Sequence, residues 1–283
     1  MAVFYNQATL SYNDNVINSN IVSGEIVEVL SAEKTAVLNT YTVGDEITYI
    51  VSIVNSGAAA FTGITITDNL GEYPFGTGTL VPLTYVDGSV RYFSDGTLQP
   101  TPTVTSENPL TIEGITVPAG GNVLVIYKAA VNNFAPLDVE GTVTNSAVIS
   151  GGGIVPITVS STISAVSGLN LTITKAVNPE VVAENGQLTY TFTIQNTGSV
   201  PATVADNLVV TDTFDPVLDI TSVTFNSDTW TEPADYTYNE LTGLFTSVAG
   251  QITVPAATYS QDPATGAWVV TPGVSVLRVT GTI

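Results

Sequence analysis

Two stretches of this chain read alike: Thr48-Tyr49-Ile50-Val51-Ser52-Ile53-Val54-Asn55-Ser56-Gly57 and Thr189-Tyr190-Thr191-Phe192-Thr193-Ile194-Gln195-Asn196-Thr197-Gly198. Each is rich in β-branched and aromatic residues, which suit a pleated, half-buried surface, and each stops at an Asn-x-Gly turn signal. The likeness continues outward. Upstream stand Ala32-Glu33-Lys34-Thr35-Ala36 and Ile173-Thr174-Lys175-Ala176-Val177, with the same separation from lysine to tyrosine in both copies. Downstream stand Ile64-Thr65-Ile66-Thr67-Asp68 and Leu208-Val209-Val210-Thr211-Asp212, then Ile115-Thr116-Val117-Pro118-Ala119 and Ile252-Thr253-Val254-Pro255-Ala256. A repeat of this size means two tandem domains of one fold rather than a solenoid. Gly, Pro, Asn and Asp break the apolar runs at short intervals, as in Val86-Asp87-Gly88-Ser89 and Ser94-Asp95-Gly96-Thr97. Many short strands with turn signals between them predict an all-β chain of antiparallel β-sandwiches.

Composition narrows the function. At 283 residues the chain has room for two domains of about 150 residues each. Acids outnumber bases 25 to 5, a net charge of −20 that repels phosphate backbones, so no nucleic acid is expected as a partner. There is no histidine and no cysteine. Zinc sites built on them, Ser-His-Asp and Cys-His nucleophiles, haem ligation, iron–sulfur clusters and disulfides are therefore excluded, and neither metal nor cofactor is expected. No apolar run approaches the ~18 residues of a membrane span, so no membrane insertion is expected. Met1-Ala2-Val3-Phe4-Tyr5-Asn6 lacks the basic and apolar regions of a signal peptide.

The ordered series of Lys-Thr/Ala, Tyr-x-Val/Phe-x-Ile-x-Asn-Ser/Thr-Gly, Ile/Val-Thr-Asp and Val143-Thr144-Asn145-Ser146-Ala147-Val148 resembles the DUF11 conserved-repeat domain of bacterial and archaeal surface proteins. The resemblance spans most of both copies. It implies immunoglobulin-like sandwiches strung along a cell surface, similar to pilin and adhesin domains that form Lys–Asn isopeptide bonds, and it implies no enzymatic turnover.

The two copies end differently. In the first, Asn122-Val123-Leu124-Val125-Ile126-Tyr127 is followed by a last strand, Thr142 to Ser150; in the second, Ser275-Val276-Leu277-Arg278-Val279-Thr280 is followed only by residues to Ile283. The second sandwich is therefore expected to lack its final strand, leaving an unpaired edge and an apolar groove. The N-terminal segment Val3-Phe4-Tyr5-Asn6-Gln7-Ala8-Thr9-Leu10-Ser11 aligns with that last strand, Asn6 on Asn145, Ala8 on Ala147, Leu10 on Ile149 and Ser11 on Ser150. It reads as a donor strand that completes the second domain of another copy, as in donor-strand complementation. Such a head-to-tail contact makes an open filament unless it closes into a ring. Two blander readings compete: a segment folded back onto its own second domain, across a first domain about 40 Å long at ~3.3 Å per strand residue, or an ordinary edge strand of domain one. The expected boundaries are 1–23 for donor strand and linker, 24–150 for domain one, 151–167 for a linker opened by Gly151-Gly152-Gly153, and 168–283 for domain two.

The three lysines, Lys34, Lys128 and Lys175, are few enough that two at one repeat position ask for a reason. An edge-strand lysine discourages aggregation, and Asp68, Asp212 and Asn145 could each be a strand-end turn residue. Together they suit one reaction. Burial lowers the lysine pKa toward the neutral amine and raises that of a carboxyl nearby. The protonated acid polarises an asparagine carboxamide, the amine attacks, and ammonia leaves; folding supplies the proximity. The expected bonds are Lys34–Asn145 with Asp68 within domain one, and Lys175 of one subunit with Asn6 of its neighbour, assisted by Asp212.

The expected function is a structural subunit of a self-assembling extracellular or spore-surface fibre, whose partners are further copies of itself and a surface anchor protein. It is not an enzyme beyond single-turnover bond formation. The alternative is a binding module of a larger adhesin or surface-layer protein that recognises glycan or host protein; a hydrolase with paired carboxylates comes third. Gly44-Asp45-Glu46 lacks a spaced calcium loop and reads as a solvated turn. Asn170-Leu171-Thr172 matches a glycosylation sequon inside an expected strand, and Tyr73, Phe75, Tyr85, Tyr92 and Phe93 are expected to fill the core rather than line a ligand patch.

Overall fold

The computed structural model describes residues 2–26 and 29–283. Their regular secondary structure is β apart from a single 3-10 turn at Val204–Asp206. They separate into two compact units, the first built mainly from the described residues of 2–26, 29–39, 44–132 and 144–163 and the second mainly from 164–283.

In the first unit the lysine strand Leu30–Ala36 lies at one sheet edge against the tyrosine strand Glu46–Asn55, followed by Asn122–Val131 and Arg91–Ser94, all antiparallel. The tyrosine strand has the period the sequence predicts: Ile47, Tyr49, Val51, Ile53 and Asn55 point inward and alternate with less buried residues. The other sheet runs Thr103–Glu107, Leu110–Val117, the aspartate strand Phe61–Asp68, the asparagine strand Thr142–Gly151, and Ile157–Ala165. Between the two sheets, Ile64, Ile66, Ile112, Val123, Val125, Ala147 and Ile149 are fully buried. Tyr85 and Tyr92 are buried too, as core fillers.

The second unit repeats the first sheet: lysine strand Leu171–Asn178, tyrosine strand Gln187–Asn196, then Gly273–Thr282, Asp219–Phe225 and Asp228–Trp230. Its other sheet is smaller, with Thr211–Thr213 pairing Leu244–Ser247, which pairs Tyr236–Asn239. Phe192, Phe214, Phe225, Phe245, Leu277 and Val279 make the core. The aspartate strand of the first unit is paired on both sides. Its counterpart Thr211–Thr213 is paired on one side only among the described residues, and Leu208–Val210 before it is not in strand form.

Two stretches expected to be linkers carry strands. Residues 151–167 hold Ile157–Ala165, and Gly151, Gly152 and Gly153, all at positive φ, make the turn into it. Residues 12–23, expected as the donor's linker, form a return arm. Ala2–Asn6 pairs with Val22–Ile26, and Thr9–Tyr12 pairs with Asn15–Asn18, around Asn13 and Asp14 at positive φ. Residues 3–23 are exposed throughout, so this hairpin is lodged in neither sandwich.

Candidate functional site: two lysine–aspartate pairs

The repeat sets both lysines by register. Lys34 lies opposite Val51 and Lys175 opposite Phe192, in each case two residues beyond the tyrosine. From that place the lysine side chain reaches across to the aspartate of the other sheet. Lys34 Nζ is 2.5 Å from Asp68 Oδ2, and Lys175 Nζ is 2.5 Å from Asp212 Oδ2.

The first pair is complete and dry. Both side chains are fully buried, which rules out an edge lysine kept in water against aggregation. Asn145 is also fully buried, two residues before Ala147, which pairs directly with Asp68. Asn69 locks that end of the asparagine strand: its N–H donates to the Ser146 carbonyl and its Oδ1 accepts from the Ser146 N–H, both at 2.9 Å. The site therefore gathers Lys34, Asp68 and Asn145 as the sequence predicts. Its wiring differs from expectation. Asp68 does not bond the asparagine carbonyl oxygen. Its Oδ1 accepts from the Leu70 N–H at 2.9 Å, and its Oδ2 is shared by Lys34 and the Tyr127 hydroxyl. The Asn145 Nδ2 in turn donates to that Tyr127 hydroxyl at 3.3 Å. Among the described residues, the Asn145 Oδ1 and the Tyr49 hydroxyl have no hydrogen-bond partner. Asn145 comes near enough to counter part of the upward pull that burial and Asp68 exert on the Tyr49 pKa, but no bond of ordinary geometry closes.

The sequence marks Tyr49 as part of the repeat motif but gives neither it nor Tyr127 a place in the site. Tyr49 and Tyr127 stack at 5.6 Å and wall the ammonium, which sits 4.9 Å from the Tyr49 centroid and 6.0 Å from that of Tyr127. Burial lowers the Lys34 pKa to about 8, against the opposing pull of Asp68. Desolvation and the neighbouring carboxylate keep both phenols neutral, with pKa values above the usual range. A neutral amine is thus accessible near physiological pH, and proton transfer from Lys34 to Asp68 turns a costly buried ion pair into an uncharged nucleophile and an uncharged acid.

The second pair is half a site. Lys175 and Asp212 side chains are 40% and 18% exposed, so the desolvated lysine expected here is not formed. The physical reason is the unpaired side of Thr211–Thr213, where the first unit has its asparagine strand. The contact is an ion pair that misses hydrogen-bond geometry, and Asp212 Oδ2 has no hydrogen-bond partner. Aromatic walls persist: the ammonium lies 4.5 Å from Tyr190 and 5.4 Å from Phe214, which stack on each other at 4.9 Å. Beside Leu208 and Val210 a cavity of about 170 Å³ opens, lined also by Leu171, Ile173, Ile194 and Ile252. Asn6, the asparagine expected here from another copy, sits in the exposed N-terminal hairpin opposite Val22. Lys128, the third lysine, makes an exposed pair with Glu46 at 2.9 Å.

The Asn-x-Gly signals are structural. Asn55 donates to the carbonyls of Ala59 and Pro118, both at 2.8 Å, and accepts from the Gly57 N–H. Asn196 does the same toward Val200, Pro255 and Gly198. One buried amide thus ties the end of the tyrosine strand to the Val-Pro-Ala turn in each unit, which explains why those two motifs recur together.

No family model matches the chain, and no curated protein matches it. Among solved structures, the chain is similar to the pilus backbone RrgB from Streptococcus pneumoniae at 13% identity and a TM-score of 0.35, over 86% of this chain and 55% of that one. It is similar to the collagen-binding subdomain of the Enterococcus faecalis surface protein ACE at 11% identity and a TM-score of 0.32, over 50% and 99%. A collagen-binding domain from a Staphylococcus aureus adhesin matches at 12% identity and a TM-score of 0.30, over 49% and 99%. The chain thus spans about half the length of the pilus backbone, and at these TM-scores the likeness carries no functional argument.

Proposed function

We propose that this chain is a DUF11-like structural subunit of a surface fibre, outside the cell or on a spore, that polymerises head-to-tail. The N-terminal hairpin of one copy completes the second unit of the next, and Lys–Asn isopeptide bonds lock both the first unit and the junction. The observation that carries this reading is the half-site around Lys175 and Asp212: lysine, carboxylate and aromatic walls are present on the open side of Thr211–Thr213.

Three features support the N-terminal hairpin as the occupant. In the first unit the asparagine strand reaches the sheet as one arm of a pair with Ile157–Ala165; the N-terminal segment has that same two-armed form. The register carries over. Asp68 pairs with Ala147 and Ile66 with Ile149, so by the repeat Asp212 takes Ala8 and Val210 takes Leu10. Asn6 then falls at the place of Asn145, and Leu10 falls at the cavity beside Val210. The hairpin also carries apolar residues that water does not favour, Phe4 at 53% and Leu10 at 63% exposed.

The expected chemistry is one turnover per bond, with loss of ammonia and no external enzyme. Purified protein incubated at rising concentration should give fibres by negative-stain microscopy and a ladder after boiling in detergent. Asn6→Ala should keep the fibres and abolish the ladder, and Leu10→Asp should abolish both. A wild-type chain that stays monomeric at every concentration would overturn the polymer reading. Fibres that dissolve to subunits of unreduced mass would overturn the bonds alone.

A further inference from the structure

In the first unit a phenol stands between the acid and the group that must leave. The Tyr127 hydroxyl donates to Asp68 Oδ2 and accepts from Asn145 Nδ2, so Asp68 has no direct bond to the asparagine. We propose that Tyr127 relays a proton from Asp68 to the departing nitrogen of Asn145, and that the second unit lacks this relay. The inference rests on the isopeptide reading above and extends it to a residue whose only other evident role is packing.

Lys34 first passes a proton to Asp68, leaving a neutral amine and a neutral carboxyl. The Nζ lone pair then forms a bond to Asn145 Cγ, and the carbonyl electron pair moves onto Oδ1. In the amide, Nδ2 has no basic lone pair and can only donate to Tyr127. Once Cγ is tetrahedral, Nδ2 gains a lone pair and becomes the better acceptor. Asp68, now protonated, donates to the Tyr127 oxygen, and the Tyr127 hydrogen turns to Nδ2. Transfer along this line turns Nδ2 into an ammonium leaving group; the electron pair on Oδ1 returns to re-form the carbonyl as the Cγ–Nδ2 bond breaks, and that bond's electrons leave with the nitrogen as ammonia. Nζ sheds its surplus proton back to Asp68. The new amide keeps one hydrogen on Nζ, and the carboxyl ends protonated. Tyr127 is returned unchanged, as a relay must be.

The second unit has the ring without the hydroxyl. Tyr127 pairs across its sheet with Tyr49, whereas Tyr190, the counterpart of Tyr49, pairs with Val279. The missing wall is replaced by Phe214, which stacks on Tyr190 and faces the Lys175 ammonium much as Tyr127 faces that of Lys34. Among the described residues no phenol hydrogen-bonds Asp212 as Tyr127 does Asp68, so the acid has no relay to an incoming asparagine. Bond formation at a docked junction is slower than bond formation inside the first unit, so a wrongly seated strand can leave before it is fixed.

The test is pulsed cell-free synthesis of the full chain followed over time by intact-mass spectrometry, with the internal bond located by peptide mapping. Tyr127→Phe keeps the stacked ring and should slow loss of the first ammonia by about a hundredfold or more, in the range of general acid–base effects. A Tyr127→Phe chain that closes the bond at the wild-type rate overturns the relay. Should that variant fold poorly, the wild-type rate in mixtures of light and heavy water decides: a curved dependence means several protons move together, and a linear one overturns the proposal. A wild-type chain that never loses ammonia overturns the underlying bond reading instead, so the two failures are distinct.

Discussion

Lys34 and Lys175 occupy one position of one repeat, yet only the first is out of water. In an Asn145→Ala background, which keeps the first lysine free, Asp68→Ala leaves a buried ammonium without its partner and should cost ~3–5 kcal/mol. Asp212→Ala beside a lysine that is 40% exposed should cost less than ~1 kcal/mol. Urea unfolding of the pair of variants measures the contrast, and equal losses would contradict it. The same burial sets a pH signature. Burial holds Lys34 at about 8 in the folded chain, against the ordinary lysine value of 10.5 when unfolded. Between those values the unfolded chain holds a proton that the folded chain does not, so stability of the Asn145→Ala chain should rise with pH across that window. Formation of the wild-type internal bond needs the one proton that Lys34 and Asp68 share, so its rate by intact-mass spectrometry should hold steady below pH 8 and fall as pH rises through about 8. Lysine, aspartate and asparagine were legible because their spacing repeats or because the alignment of chain ends picks them out. Tyr127 was not, since its counterpart in the second copy is Val279 and the aromatic wall there comes from Phe214, on a different element.

Among the elements, the tyrosine strands were the most readable because strict alternation and a terminal Asn-x-Gly leave one register in which the amide turns inward. That amide makes a testable contribution. Asn55→Ala or Asn196→Ala strands several buried backbone partners and should destabilise its own unit by ~1–3 kcal/mol, read as a shift in the denaturant midpoint of that unit. The stretches read as linkers were misjudged for one reason. Gly151-Gly152-Gly153 looks like a flexible joint by composition, but what it does depends on whether the residues after it pair. Ile157–Ala165 alternates Val and Ile with Thr and Ser and is largely half-buried or exposed, a strand whose weak apolar signal the glycines mask. The return arm of the N-terminal hairpin was hidden likewise by its polar residues, while Asn13-Asp14 was the turn signal that could have exposed it.

For the whole molecule, the net charge of −20 sets a condition on assembly. Subunits of one sign repel as they approach, and salt shortens the reach of that repulsion, from about 30 Å near 0.01 M to about 8 Å near 0.15 M. Fibre growth followed by light scattering should therefore quicken across that range, and growth that slows with salt would contradict a repulsion-limited encounter. The architecture was legible at this scale because it is written twice, and each copy annotates the other's omissions.

The lysine of the first unit lies on its opening strand and the asparagine on a late one. With a covalent bond between them, a pull arriving at Lys34 passes straight to Asn145. The hydrogen-bonded strands between the two residues then carry no tension, and a loaded filament would stretch at its joints before any sandwich came undone.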